Sequence, residues 1–346
     1  IEAGKAALDA GHTKYGPTPG IPELRESVAR YVSRTRGIPV KMEEVSIVPG
    51  GKPTMYFTMT ALLEPGDEVI YPNPSFPIYE SMINFLGAKA VPIPLSDKNG
   101  FAFDLNRFKD SLTPKTKMVI LNSPANPTGG IQSEQEVREI AKMLADRDVM
   151  VLSDEIYSRI VYSGTPFSIA SCEGMKEKTI ILDGWSKTWS MTGWRLGWLV
   201  VPESLVPVIE RLAQNLFICP SSVAQHAALA CFEPESLAIY EQRRDVFKQR
   251  RDRFIPQLNA MGLTVPVMPD GAFYAWADCR QACERLGLPD SWALAEQAMQ
   301  HARVVVTPGH DFSLQSPGDH IRFSTASDMA QLDTAAARLQ AWLEAA

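Results

Sequence analysis

Short runs of consecutive apolar residues alternate along this chain with longer stretches in which apolar residues recur every three or four positions. The runs at 45–48, 68–71, 89–93, 118–121, 149–152, 179–182 and 196–201 have the length and bounding turns of buried strands. Helical spacing begins at Pro22, where proline suits a first turn and Leu24, Val28, Tyr31 and Val32 share a face. A second helix opens at Lys52-Pro53 and carries Met55, Tyr56, Met59, Leu62 and Leu63, and a short one covers 78–86. Ser133 and Glu136 form a capping box ahead of Val137, Ile140, Ala141 and Leu144. Further helices are expected near 203–215 and over 236–258, the latter with a charged, solvated middle at 241–245. Strands that are apolar throughout, separated by amphipathic helices, predict an α/β fold with a mostly parallel sheet covered on both faces.

The carboxyl-terminal part reads differently. Helices over 291–302 and 328–343 mix there with short strands at 272–277, 303–306 and 320–324, the pattern of a smaller α+β domain. The expected division is a large domain over 12–245 and a small one made of 1–11 and 246–346. At 346 residues the chain is long enough for two cores.

Composition narrows the class. The chain is 45% hydrophobic and 21% charged, with a net charge of -6 and no basic block or arginine stripe, which argues against nucleic acid. No apolar run has the length of a membrane span. The five cysteines are scattered and lack the spacing of a metal site, so a reduced, cytoplasmic interior is expected. The first residue is Ile1 rather than methionine, and the amino-terminal segment is expected to be incomplete.

In parallel sheets, ligands sit beyond the carboxyl ends of the strands. The polar motifs of this chain fall there: Gly50-Gly51-Lys52, Phe76, Asn126, Asp154 with Tyr157, and Ser186-Lys187 followed by Arg195. Lys187, among tryptophans and glycines just past a buried strand, offers a partly desolvated amine as nucleophile. This inventory suits pyridoxal phosphate. Its aldehyde needs an amine, which Lys187 supplies, and its ring nitrogen needs a carboxylate partner, which Asp154 can be. Asn126 and Tyr157 are candidate donors to the phenolic oxygen, and Phe76 can stack on the ring. The amides of Gly51 and Lys52, with Ser186 and Arg195, can hold the phosphate.

The motifs NPTG at 126–129, SDEIY at 153–157 and SKTWSMTGWRLGW at 186–198 resemble signatures of the class I/II aminotransferases. These belong to the fold-type-I pyridoxal phosphate enzymes, the aspartate aminotransferase superfamily. KYGPTPGIPELRE at 14–26, PGDEVIYPNPSF at 65–76 and HIRFSTA at 320–326 resemble the same family in the same order, so the similarity spans nearly the whole chain. The resemblance implies that Arg322 grips the substrate α-carboxylate, with Asn126 beside it. It also implies a homodimer in which Tyr15 reaches the cofactor phosphate of the neighbouring subunit; Ser222 lies in a region that relatives use across that boundary.

The implied reaction moves an amino group between an L-amino acid and a 2-oxo acid by a ping-pong route, with Lys187, Asp154 and Tyr157 as the catalytic set. A β-lyase or racemase using the same cofactor is the nearest alternative, and a non-catalytic regulatory module a distant one. Two departures stand out. The amino-terminal segment that closes over the substrate in relatives precedes Ile1, and His310 occupies a position where many relatives carry a small residue; it is expected to face solvent.

Overall fold

The computed structural model describes residues 1–345. Seven strands, β1 (Val45–Val48), β2 (Glu68–Asn73), β3 (Lys89–Pro94), β4 (Thr116–Asn122), β5 (Met150–Asp154), β6 (Thr179–Gly184) and β7 (Gly197–Val200), form one sheet in the order β1-β7-β6-β5-β4-β2-β3. From β3 through β6 all neighbours are parallel; β7 is antiparallel to β6, and β1 to β7. The alternation of the pleat explains why the central strands are apolar throughout. On β4, Met118 and Ile120 enter the core under α3 (Gly51–Leu62), while Val119 and Leu121 enter another against α6 (Glu134–Leu144). Around the sheet also lie α1 (Glu2–Asp9), α2 (Pro22–Arg36), α4 (Ile78–Phe85), α5 (Leu105–Ser111), α7 (Val206–Phe217) and α8 (Ser222–Leu229).

The long α9 (Pro234–Ala260) leaves this body and ends in a second core, where Phe254, Ile255 and Leu258 are buried. That core holds an antiparallel sheet of β8 (Tyr274–Asp278), β10 (His320–Ser324) and β9 (Thr307–Pro308), with α10 (Arg280–Leu286), α11 (Ser291–Gln297) and α12 (Met329–Glu344). Among the described residues no helix is long and apolar enough to cross a membrane.

Several expectations need correction. The strand at 303–306 is absent: the helical turns after α11 run to Ala302, Arg303 caps them in the left-handed region (φ 57°), and pairing with β10 starts only at Thr307. β2 extends two residues further than its turn-rich sequence suggests, because Pro72 and Asn73 still pair with β3. The capping box is half formed. Ser133 accepts from the Glu136 amide at 3.2 Å, but the Glu136 carboxylate accepts from the Phe103 amide at 2.7 Å instead of reaching back. Residues 1–11, grouped with the small domain by the sequence, lie on the large body: α1 packs on α8, and Gly4 leaves room for the Trp194 ring, which a Cβ there would meet at 2.5 Å. The short helices α5, α8 and α10 carry too few turns for their periodicity to be read.

Candidate active site

The carboxyl ends of β1, β2, β4, β5 and β6 open on one cavity of about 330 Å³, within the range of small-molecule sites. At the end of β6 the chain turns sharply, and the tryptophans of the 183–195 stretch explain how it is held. Trp185 and Trp189 point into the core and meet Trp198 edge-on, with ring centroids 4.5 and 5.5 Å away. Such a ring buries about 150–250 Å². At about 25 cal/mol per Å² that is roughly 4–6 kcal/mol each before ordering costs. Ser186 and Lys187, between these anchors, line the cavity. Lys187 is half-buried, its Nζ 5.6 Å from the Phe273 ring centroid and 5.8 Å from that of Tyr157. Its Nζ makes no ion pair or hydrogen bond among the described residues, so the amine is available.

Asp154 ends β5 and is almost wholly buried. The Tyr79 hydroxyl donates to its Oδ2 at 2.6 Å, and the Ile156 amide to Oδ1 at 3.2 Å. Burial pushes the carboxyl up to about 6, against the pull of these two donors. Asn122, at the end of β4, ties the neighbouring loop to this strand. Its amide nitrogen donates to the Asp154 carbonyl at 3.1 Å, and its Oδ1 accepts from the Asn126 amide at 3.0 Å. The NPTG loop then bends at Gly129 (φ 71°), where a Cβ would stand 2.5 Å from Pro269 of the small body. In the same loop Asn126 meets Arg322, whose Nη1 donates to Asn126 Oδ1 at 2.9 Å.

Arg322 is held between two aromatic faces, 4.4 Å from the Tyr274 ring centroid and 4.5 Å from that of Phe312. Its Nε is buried without a partner. Such an orphaned donor is costly unless a ligand satisfies it. Tyr157 bonds Tyr274 hydroxyl to hydroxyl at 2.9 Å, and burial raises the Tyr157 phenol well above its ordinary value, so it stays protonated at neutral pH.

At the other end of the cavity, Gly50 (φ 98°) starts α3, whose first-turn amides have no side-chain cap. A Cβ at Gly50 would lie 2.4 Å from Arg195 Nη2, so glycine lets the guanidinium settle on the turn. Arg195 is itself left-handed (φ 53°) and donates to the Thr192 carbonyl at 2.7 Å. Uncapped amides, a helix amino terminus and a guanidinium make an anion cradle. Phe76 lies beside it, 5.6 Å from Lys52 Nζ.

Gly51, Lys52, Phe76, Asn126, Asp154, Tyr157, Ser186, Lys187, Arg195 and Arg322, scattered over 272 residues of sequence (322 − 51 + 1), therefore line one cavity. Tyr15 does not. It stands 80% exposed in a separate surface groove, where Ser222 Oγ donates to the Lys14 carbonyl at 2.6 Å. His310 is about one-third exposed, near Ser291 Oγ (3.4 Å) and Asp290 (3.9 Å), outside the cavity; Phe312, two residues on, is what reaches Arg322. Sequence reasoning passed over Tyr79 and Tyr274. Tyr79 could have been noticed one helical turn after Phe76, whereas Tyr274 sits in a strand of the small body and enters the site only through tertiary packing.

Residues 1–339 match the family model of aminotransferase class I and II. The aspartate aminotransferase of Geobacillus stearothermophilus is 33% identical, with 100% of this chain and 87% of the relative covered. The aromatic-amino-acid aminotransferase 2 of Thermococcus litoralis is 36% identical, with 98% of this chain and 86% of the relative covered. Among solved structures, the aromatic aminotransferase of Pyrococcus horikoshii OT3 superposes with a TM-score of 0.93 at 34% identity, covering 99% of this chain and 91% of that one. The chain belongs to the class I and II aminotransferases, pyridoxal phosphate-dependent transferases of fold type I.

Proposed function

We propose that this cavity performs transamination with the following division of labour. The observation that carries the reading is the half-buried Lys187 amine, without a hydrogen-bond partner, sharing one cavity with a buried carboxylate, Asp154, and a preorganised guanidinium, Arg322. The residues fit the cofactor: the glycine cradle at Gly50 takes a phosphate, and the buried Asp154 takes a cationic ring nitrogen. When bound, pyridoxal phosphate supplies an aldehyde that carries the amino group and a ring that accepts the electron pair left as the Cα–H bond breaks.

The chain's own groups do the rest. The amides of Gly51 and Lys52, with Ser186 and Arg195, hold the phosphate, and Phe76 covers a ring face. Asp154 keeps the ring nitrogen protonated, and Asn126 and Tyr157 donate to the phenolic oxygen. Lys187 tethers the cofactor and, once displaced, moves the proton at the substrate Cα. Arg322 binds the α-carboxylate, steered by its two aromatic faces and by Asn126. An Arg322→Lys variant keeps the charge but loses the fork. It is expected to raise KM for both the amino acid and the oxo acid by about 10–100-fold, the worth of a charge-assisted hydrogen bond, with a smaller change in kcat. Steady-state kinetics with both substrates check this; unchanged KM values would remove Arg322 from the role.

The working form is a homodimer. Tyr15 is exposed and lines a groove separate from its own cavity, and in the dimer Tyr15 of the partner subunit reaches the phosphate. Mixed dimers test this. Chains carrying Lys187→Ala, combined with chains carrying Tyr15→Ala, should rebuild one complete site per hybrid and give activity above that of either parent. A purely monomeric protein, or hybrids no better than the Tyr15→Ala parent, contradicts the sharing.

A further inference from the structure

Asp154 is the only carboxylate lining the cavity among the described residues, and its charge has to survive near-complete burial. Little around it helps. Glu155, next in the chain, adds repulsion, although it is engaged by Arg36 at 2.7 Å and by Ser153 and Ser168. Asp183, on the neighbouring β6, is a further buried carboxylate and meets Arg36 at 3.0 Å. Lys187 is attractive but carries no direct bond to it. The Ile156 amide is a backbone donor that does not depend on the side chain there, proline excepted.

The remaining group is Tyr79. It has no exposed surface, it stands on α4 with its ring edge-on to Phe76 at 6.0 Å, and its hydroxyl reaches Oδ2 at 2.6 Å. A neutral phenol is an unequivocal donor to a carboxylate, because an ionised carboxylate only accepts. A short bond from a neutral donor to a buried anion belongs to the strong class of hydrogen bonds. We infer that Tyr79 is a positioning residue for the cofactor ring: its hydroxyl keeps Asp154 ionised and fixed, and so sets how firmly the ring nitrogen keeps its proton. This rests on the assignment of Asp154 as the ring's partner.

The test compares the wild type, Tyr79→Phe and Asp154→Asn in two measurements. The first is the titration of the Asp154 carboxyl in cofactor-free protein, followed by carbon NMR and identified by its loss in Asp154→Asn. The second is the nitrogen NMR shift of ring-labelled pyridoxal phosphate in the loaded protein. Tyr79→Phe is expected to raise the Asp154 midpoint by about one pH unit, a tenfold change in the proton equilibrium. It is also expected to move the ring nitrogen signal toward the unprotonated position, with kcat lowered about tenfold and KM little changed. Should Tyr79→Phe loosen the fold, 3-fluorotyrosine in place of Tyr79 retains ring and hydroxyl with a more acidic phenol; the midpoint should then fall. If Asp154→Asn moves the ring signal but neither change at position 79 moves the midpoint or the ring signal, the inference about Tyr79 is overturned. If Asp154→Asn itself leaves the ring signal in place, the assignment of Asp154 fails instead.

Discussion

Replacing Lys187 with alanine is expected to lower kcat by at least about 10³–10⁴-fold, the upper range for a positioned proton-transfer group. The expectation follows from the isolation of this amine. Within the cavity, Lys52 lies beside Phe76, and Arg195 and Arg322 carry guanidinium groups, which donate hydrogen bonds but do not form a Schiff base as an amine does. Nothing else there combines an amine's nucleophilicity with a place between the Tyr157 and Phe273 rings. The fold should survive the change, because the tryptophans on either side of Lys187 hold the loop and the lysine itself bonds to nothing that would be left unpaired. Unfolding temperature and cofactor-free circular dichroism should therefore match the wild type while single-turnover proton transfer disappears. Turnover within tenfold of the wild type would contradict the assignment.

The second large effect is expected at Asp154. An Asp154→Asn variant keeps the shape and can still bond to Tyr79, but it offers the ring nitrogen no negative charge. Loss of one buried electrostatic partner costs about 10²–10³-fold in kcat. The variant should also lose a pH dependence. Burial raises this carboxyl from its ordinary value to about 6 in the folded protein. Between about pH 4 and 6 the folded state therefore holds a proton that the unfolded chain has released. This group accordingly makes the cofactor-free protein less stable as pH rises through that window. A cationic ring reverses the balance because it favours the ionised carboxylate. Cofactor affinity of the wild type should fall as pH drops through about 6, and Asp154→Asn should lack that step. Binding titrations across pH 5–8 measure it; identical profiles for the two proteins would contradict the account.

Much of the sheet was legible because a parallel, doubly covered strand must be apolar on both faces, as β4 and β6 are. The strand-end rule then pointed to Asp154, Asn126 and Lys187 with no knowledge of distance, since each lies a few residues past the end of a buried run. What stayed hidden depends on packing between bodies. Tyr274 and Phe312, which clasp Arg322, come from a strand and a loop that carry no signal of their own. Tyr79 stands on a short helix whose sequence does not say what its hydroxyl meets; packing against β5 sets that hydroxyl on Asp154. The strand expected at 303–306 failed for a related reason: three consecutive valines favour β structure, but the turn at Arg303 delays pairing until Thr307.

The most direct test of the central claim is to load the protein with pyridoxal phosphate, reduce it with borohydride, and map the labelled peptide. Borohydride fixes the cofactor to whichever lysine carries it. The account predicts the pyridoxyl label on Lys187 alone, and none in Lys187→Ala; a label on Lys52 or any other lysine in the wild type would contradict it.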